Sequence, residues 1–97
     1  MEMIDRLKDF VEDCIRNLVE NQNVVEISET LTTKSIVINI KVDKKDLGRV
    51  IGKKGKTIES IKHLTIAIKN THFADSRQVS LELLEDESFI SRTREVK

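Results

Sequence analysis

The sequence predicts an α+β fold of two layers, a three-stranded mixed sheet packed by helices on one face, in the order α-β-β-α-α-β. Three observations carry that prediction. Apolar residues recur at helical spacing over residues 3–20 and again from Gly55 to about Lys69, while three shorter segments alternate apolar and polar residues at strand spacing. The chain has no proline and only three glycines, all between positions 48 and 55, so the elements must be joined by short connections. Its 97 residues suffice for one modest core and not for two. The expected organisation is therefore one domain over residues 1–84 and a polar tail over 85–97.

The first helix places Ile4, Leu7, Val11, Cys14, Ile15 and Leu18 on one stripe, with Asp5, Arg6, Lys8, Asp9, Glu12, Asp13 and Arg16 around it. Residues 21–23 break the pattern. Val25, Ile27 and Leu31 then recur at strand spacing. After the polar break at 32–34, Ile36, Ile38, Ile40 and Val42 alternate cleanly. Two strands joined so briefly should pair antiparallel. Asp43 is placed to cap a short helix from Lys44 to Ile51, and Gly52 stands where a helix-ending glycine belongs. The helix from Gly55 to about Lys69 is expected to bury Ile58, Ile61, Leu64 and Ile68. Residues 70–77 make a polar connection, and Val79, Leu81 and Leu83 form the last strand. Two helices separate it from the strand at 35–42, so those strands can run parallel. Phe89, Ile90 and Val96 fall in the tail, which reads as frayed.

Composition excludes several function classes. No apolar run is long enough to span a membrane, and the acidic start MEMIDRLKDF lacks the features of a signal peptide, so a cytoplasmic protein is expected. Cys14 is the only cysteine and lies on an apolar helix face, which fits packing better than nucleophilic chemistry. His63 and His72 have no cysteine or acidic cluster to join, so no metal and no cofactor is expected. No Ser-His-Asp set is present, and no catalysis is expected.

Net charge is zero, but its distribution is uneven. Residues 41–62 carry eight basic and three acidic side chains, and the rest of the chain carries nine basic and fourteen acidic. Such a dipolar chain can dock a polyanion on one side while the remainder limits indiscriminate adhesion.

The basic segment contains GRVIGKKGKT, residues 48–57. Its GKT ending is that of a nucleotide-binding P-loop, but such a loop needs a glycine where Val50 stands and a strand before it. The inner GKKG fits another chemistry. Gly52 and Gly55 have no side chains to hold a sugar-phosphate backbone away. A helix starting at Gly55 points free N–H groups at the same place, and Lys53, Lys54 and Lys56 add charge.

From Val50 to Ile61 the chain reads VIGKKGKTIESI, which resembles the KH-domain signature V-I-G-x-x-G-x-x-I-x-x-I at every fixed position. The α-β-β-α-α-β order resembles the type II KH fold, over roughly residues 2–84. Within that family the chain is similar to small bacterial single-KH RNA-binding proteins. The resemblance implies a binder of single-stranded RNA, acting as an RNA chaperone or post-transcriptional regulator. Carried onto this chain, Gly52, Lys53, Lys54 and Gly55 clamp the backbone of about four nucleotides. Val50, Ile51 and Ile58 serve as core or groove floor, while Arg49 and Lys56 extend the phosphate track. It further implies a homodimer, or a heterodimer with a Jag-type KH-containing protein. With only Phe10, Phe73 and Phe89 as aromatics, none in a strand, bases are not expected to stack on the sheet.

Overall fold

The computed structural model describes residues 2–84; the expected tail at 85–97 lies outside the described residues. The order is α1 (Met3–Arg16), β1 (Glu26–Leu31), β2 (Ser35–Lys41), α2 (Leu47–Ile51), α3 (Lys56–His72) and β3 (Gln78–Leu84), with 3₁₀ turns at Gln22–Val24, Lys44–Asp46 and Lys53–Gly55.

The sheet order is β1-β2-β3. Antiparallel pairing of β1 with β2 sets Ile27 opposite Ile40 and Leu31 opposite Ile36. The turn between them is closed by Thr32, whose hydroxyl accepts from the backbone N–H of Ser35 at 2.8 Å. Parallel pairing of β2 with β3 sets Ile36, Ile38 and Ile40 beside Val79, Leu81 and Leu83. Because strand side chains alternate between faces, one face of β2 presents Ile36, Ile38 and Ile40, all fully buried. The other face presents Asn39 and Lys41, flanked by Ser28 on β1 and Glu82 on β3. The helices cover only the first face, where Leu7, Val11 and Ile15 of α1, Val50 of α2 and Ile61 of α3 complete the core. Each such side chain taken from water stabilises the fold by about 1.5–3 kcal/mol.

Three boundaries differ from the sequence reading. The first helix ends at Arg16, not 20, because Asn17 turns its amide back onto the Asp13 carbonyl. Val19 is nonetheless buried, so the apolar stripe outlasts the helix. The segment 44–51 divides into a 3₁₀ turn and the five-residue α2, with Asp43 capping the turn through the Lys45 N–H at 2.9 Å. The long helix reaches His72.

One expected core residue is not in the core. Leu64 is 54% exposed, while Thr65, one position on, is fully buried with its hydroxyl donating to the Ile61 carbonyl. At a helical turn of 100° per residue, the inward line of α3 passes through 61, 65 and 69. Leu64 instead lines a shallow apolar hollow with Phe10, Ala67 and Ile68 on the α1 side. Cys14 is only half-buried, and burial pushes its thiol pKa up. Among the described residues no helix is long and apolar enough to cross a membrane.

Candidate nucleic-acid interface

The glycine segment is a turn between two helices that meet almost end to end. The Gly52 N–H closes α2 on the Gly48 carbonyl at 2.9 Å. Gly52 then takes φ +78° and ψ 173°, a conformation that essentially only glycine adopts. A 3₁₀ turn follows, in which the Gly55 N–H donates to the Gly52 carbonyl at 3.1 Å. Lys54 and Gly55 are both left-handed, at φ 57° and 76°, and Lys54 is the only described non-glycine residue with positive φ. Lys53, Lys54 and Lys56 are exposed.

A second reason requires glycine at position 52. A Cβ there would lie 2.5 Å from Cβ and 2.8 Å from N of Thr57, and closer still to its hydroxyl. Thr57 therefore packs directly on the loop's first glycine. Gly55 is different, since a Cβ there would meet nothing within 4 Å. Gly55 is also the N-cap of α3, so no side chain satisfies the first-turn N–H groups of that helix. The Lys56 N–H is taken by the Lys53 carbonyl, and the remaining first-turn groups and the positive end of the helix dipole face an anion seated on the turn.

The remaining sequence-nominated residues divide by burial. Val50 is fully buried and belongs to the core. Ile51 is 38% exposed beside the turn, and Ile58 is partly buried against the core. These two are the aliphatic residues of the set that a ligand can reach. Arg49 is already engaged, with Nη1 2.9 Å from Asp46 Oδ1 and Nη2 3.3 Å from Glu20 Oε2.

Asp46 was not nominated from sequence, yet it holds this region to the rest of the fold. It is 1% exposed. Its carboxylate accepts from the backbone N–H groups of Glu20 and Asn21, both at 3.1 Å, and from Arg49. Those backbone bonds foremost, and then Arg49, hold its pKa below the ordinary carboxylate value. The turn after α1 is thereby tied to the first residues of α2. Its only sequence signal was an acidic residue inside a basic run, a pattern common on solvated surfaces.

As for what such a turn can do, it has no base or nucleophile poised on it. It has two exposed lysines, one helix N-terminus and two glycines that admit close approach, beside the accessible side chains of Ile51 and Ile58. Chemically, such a set can take an anion at the turn beside an apolar group.

A family model described as "KhpA/KhpB, KH domain" matches residues 8–83. Among curated relatives, the RNA-binding protein KhpA of Chlamydia caviae is 38% identical over 80 residues, covering 82% of this chain and 99% of the relative. Its namesake in Aquifex aeolicus is 37% identical over 79 residues, covering 81% and 96%. That of Clostridium perfringens is 30% identical over 78 residues, covering 80% and 100%.

Proposed function

The chain belongs to the KhpA/KhpB family of KH domains, and on that premise we propose that it binds single-stranded RNA without transforming it. Its element order and its sheet, part antiparallel and part parallel, are those of the type II KH fold. The observation that carries the reading is the GKKG turn, with Gly52 and Gly55 at positive φ and Lys53 and Lys54 exposed at the uncapped start of α3. Four backbone phosphates fit such a clamp in KH domains. Lys56 extends the cationic track, and Ile51 and Ile58 offer the adjoining bases an aliphatic floor. Arg49 contributes by orienting α2 through Asp46 rather than as a free cation. The relatives' name, RNA-binding protein, supports the same assignment. A cytoplasmic RNA chaperone or post-transcriptional regulator is the corresponding role, carried by one domain over residues 1–84.

The test is Lys53→Asp with Lys54→Asp, measured by fluorescence anisotropy on short oligouridine. Both side chains are exposed, so the fold should survive, and affinity should fall on the order of tenfold or more. With two to four phosphates neutralised, the log–log salt slope of the wild type should be about −1.5 to −3. A folded double variant with unchanged affinity would refute the clamp.

One observation favours association as a second property. Leu64 is exposed over an apolar hollow of about 180 Å³ between α1 and α3. We read this face as the contact for a second KH domain, in a homodimer or in a heterodimer with a Jag-type KH-containing protein. Pairing two clamps raises the effective concentration of the second on one RNA. Light scattering should give twice the monomer mass, falling to one in Leu64→Glu; a wild-type monomer would exclude the homodimer.

A further inference from the structure

The surface of α3 leads away from the clamp toward a second cationic feature. Ile58, Lys62, Ile66 and Lys69 recur three or four positions apart, so they form one stripe along the helix. Beyond its midpoint, between α3 and the start of β3, lies a cavity of about 360 Å³ lined by Lys62, Lys69, Asn70, Arg77 and Gln78. Ile66 and Val79 also line it, and among the described residues no carboxylate residue does.

Each of the three cations keeps donor capacity. Lys69 is only 4% exposed, and the acceptor it has among the described residues is the Asp75 carbonyl oxygen. An ammonium has three donors, and a buried one gains from every further acceptor. Arg77 engages Asp75 through Nε and Nη2, which leaves Nη1 outside that pair. Lys62 is 3.6 Å from the exposed Glu59, a weak surface pair.

We infer that this cavity is a second phosphate site for the strand held at the GKKG turn, taking backbone phosphates of nucleotides beyond the clamped four. The inference rests on the RNA-binding reading and extends it. Lys56 and Lys69 are separated by about 20 Å of helix at 1.5 Å per residue, so the two sites are far enough apart to hold different phosphates. Along the stripe between them, aliphatic and cationic side chains alternate, which suits a polymer that alternates bases with phosphates. The site therefore sets the length of RNA bound rather than its sequence.

The experiment titrates oligouridines of four, six, eight and ten nucleotides against the wild type and against Lys62→Gln with Arg77→Gln. For the wild type, affinity should rise on the order of tenfold from the shortest to the longest RNA, above the gain from extra binding registers. The salt slope should steepen by about 0.7 for each added phosphate contact. The double variant should lose that gain and that slope while keeping its affinity for the four-nucleotide RNA within about twofold. Lys62→Gln alone leaves the Arg77–Asp75 pair intact and should lose part of the gain.

Binding of the short RNA with no gain on lengthening overturns the inference, as does a gain that survives the double substitution. A cavity serving a free phosphate ion would give that first result. An equal loss at every length would place these residues in the clamp or the fold, and also overturns it. If no RNA of any length binds, it is the RNA-binding reading itself that fails.

Discussion

Replacing Gly52 and Gly55 by alanine should have unequal consequences, although the two glycines have nearly equal φ. At Gly55 the backbone is left-handed, at φ 76° and ψ 11°, and the added methyl meets nothing within 4 Å. The cost is then the left-handed strain alone, about 1–2 kcal/mol. At Gly52, ψ of 173° places the residue in a region essentially reserved for glycine, which costs about 1–3 kcal/mol. The methyl would also overlap Thr57, including its backbone nitrogen at 2.8 Å, and forced overpacking costs about 1–3 kcal/mol more. Gly52→Ala should therefore destabilise by about 2–6 kcal/mol, a large share of the stability of a small domain. At 2 kcal/mol the melting temperature would drop by about 8–16 °C. Thermal unfolding followed by circular dichroism measures both variants side by side. Adding Thr57→Ala to Gly52→Ala should recover only part of the loss, because Thr57 Cβ and N remain in the way. Equal melting temperatures for Gly52→Ala and Gly55→Ala would refute the reasoning, since the difference rests wholly on the Thr57 contact and on ψ.

Two further outcomes follow from the same region and its anchors. Lys54→Gly should relieve about 1–2 kcal/mol of left-handed strain against about 0.4–1 kcal/mol of added chain entropy, giving a slightly more stable protein that binds RNA less tightly; urea midpoints and anisotropy read the two effects separately, and a destabilised variant would show that Lys54 is unstrained. Backbone N–H groups hold the Asp43 and Asp46 carboxyls below the ordinary carboxylate value, and Arg77 brings Asp75 down to about 2. Their folded values lie below the unfolded ones, so the unfolded chain binds protons more readily and stability falls on acidification. That contribution is complete above about pH 5 and is lost as pH falls toward 2. Urea midpoints should be flat from neutrality to about pH 5 and then fall, less steeply in Asp46→Asn; parallel curves for the two proteins would remove Asp46 from the account.

Local patterns made most of the fold legible. The alternation Ile36, Ile38, Ile40 needs only one buried face to be true, and the parallel neighbour at 78–84 follows from the two intervening helices. The cap at Asp43 depends on a partner two residues away. What escaped was tertiary. Leu64 fits the helical period of α3, but periodicity does not say how wide a stripe the neighbours cover. Leu18 and Val19 extend the stripe of α1 past its last turn, because burial can continue after the backbone has stopped winding. In the site, the positive φ at Gly52 and Gly55 follows from residue type. The engagement of Arg49 does not, since its partner Glu20 is 29 positions away. In the sequence Lys69 marks the end of a helix, and its burial depends on how the 73–77 connection folds back over it.

Thr57 seated on Gly52 also bears on how quickly the proposed clamp would work. The turn is closed by its own hydrogen bonds and wedged by a side chain of the following helix, so its shape exists before any strand arrives. A receptor that needs no rearrangement has no slow conformational step in association, and little ordering entropy is lost when it is filled. On the proposed reading, encounter would be governed by diffusion and by the field of the lysines, and differences among RNAs would lie in how long each one stays. A clamp of the proposed kind would suit a protein that samples many strands briefly and dwells on few.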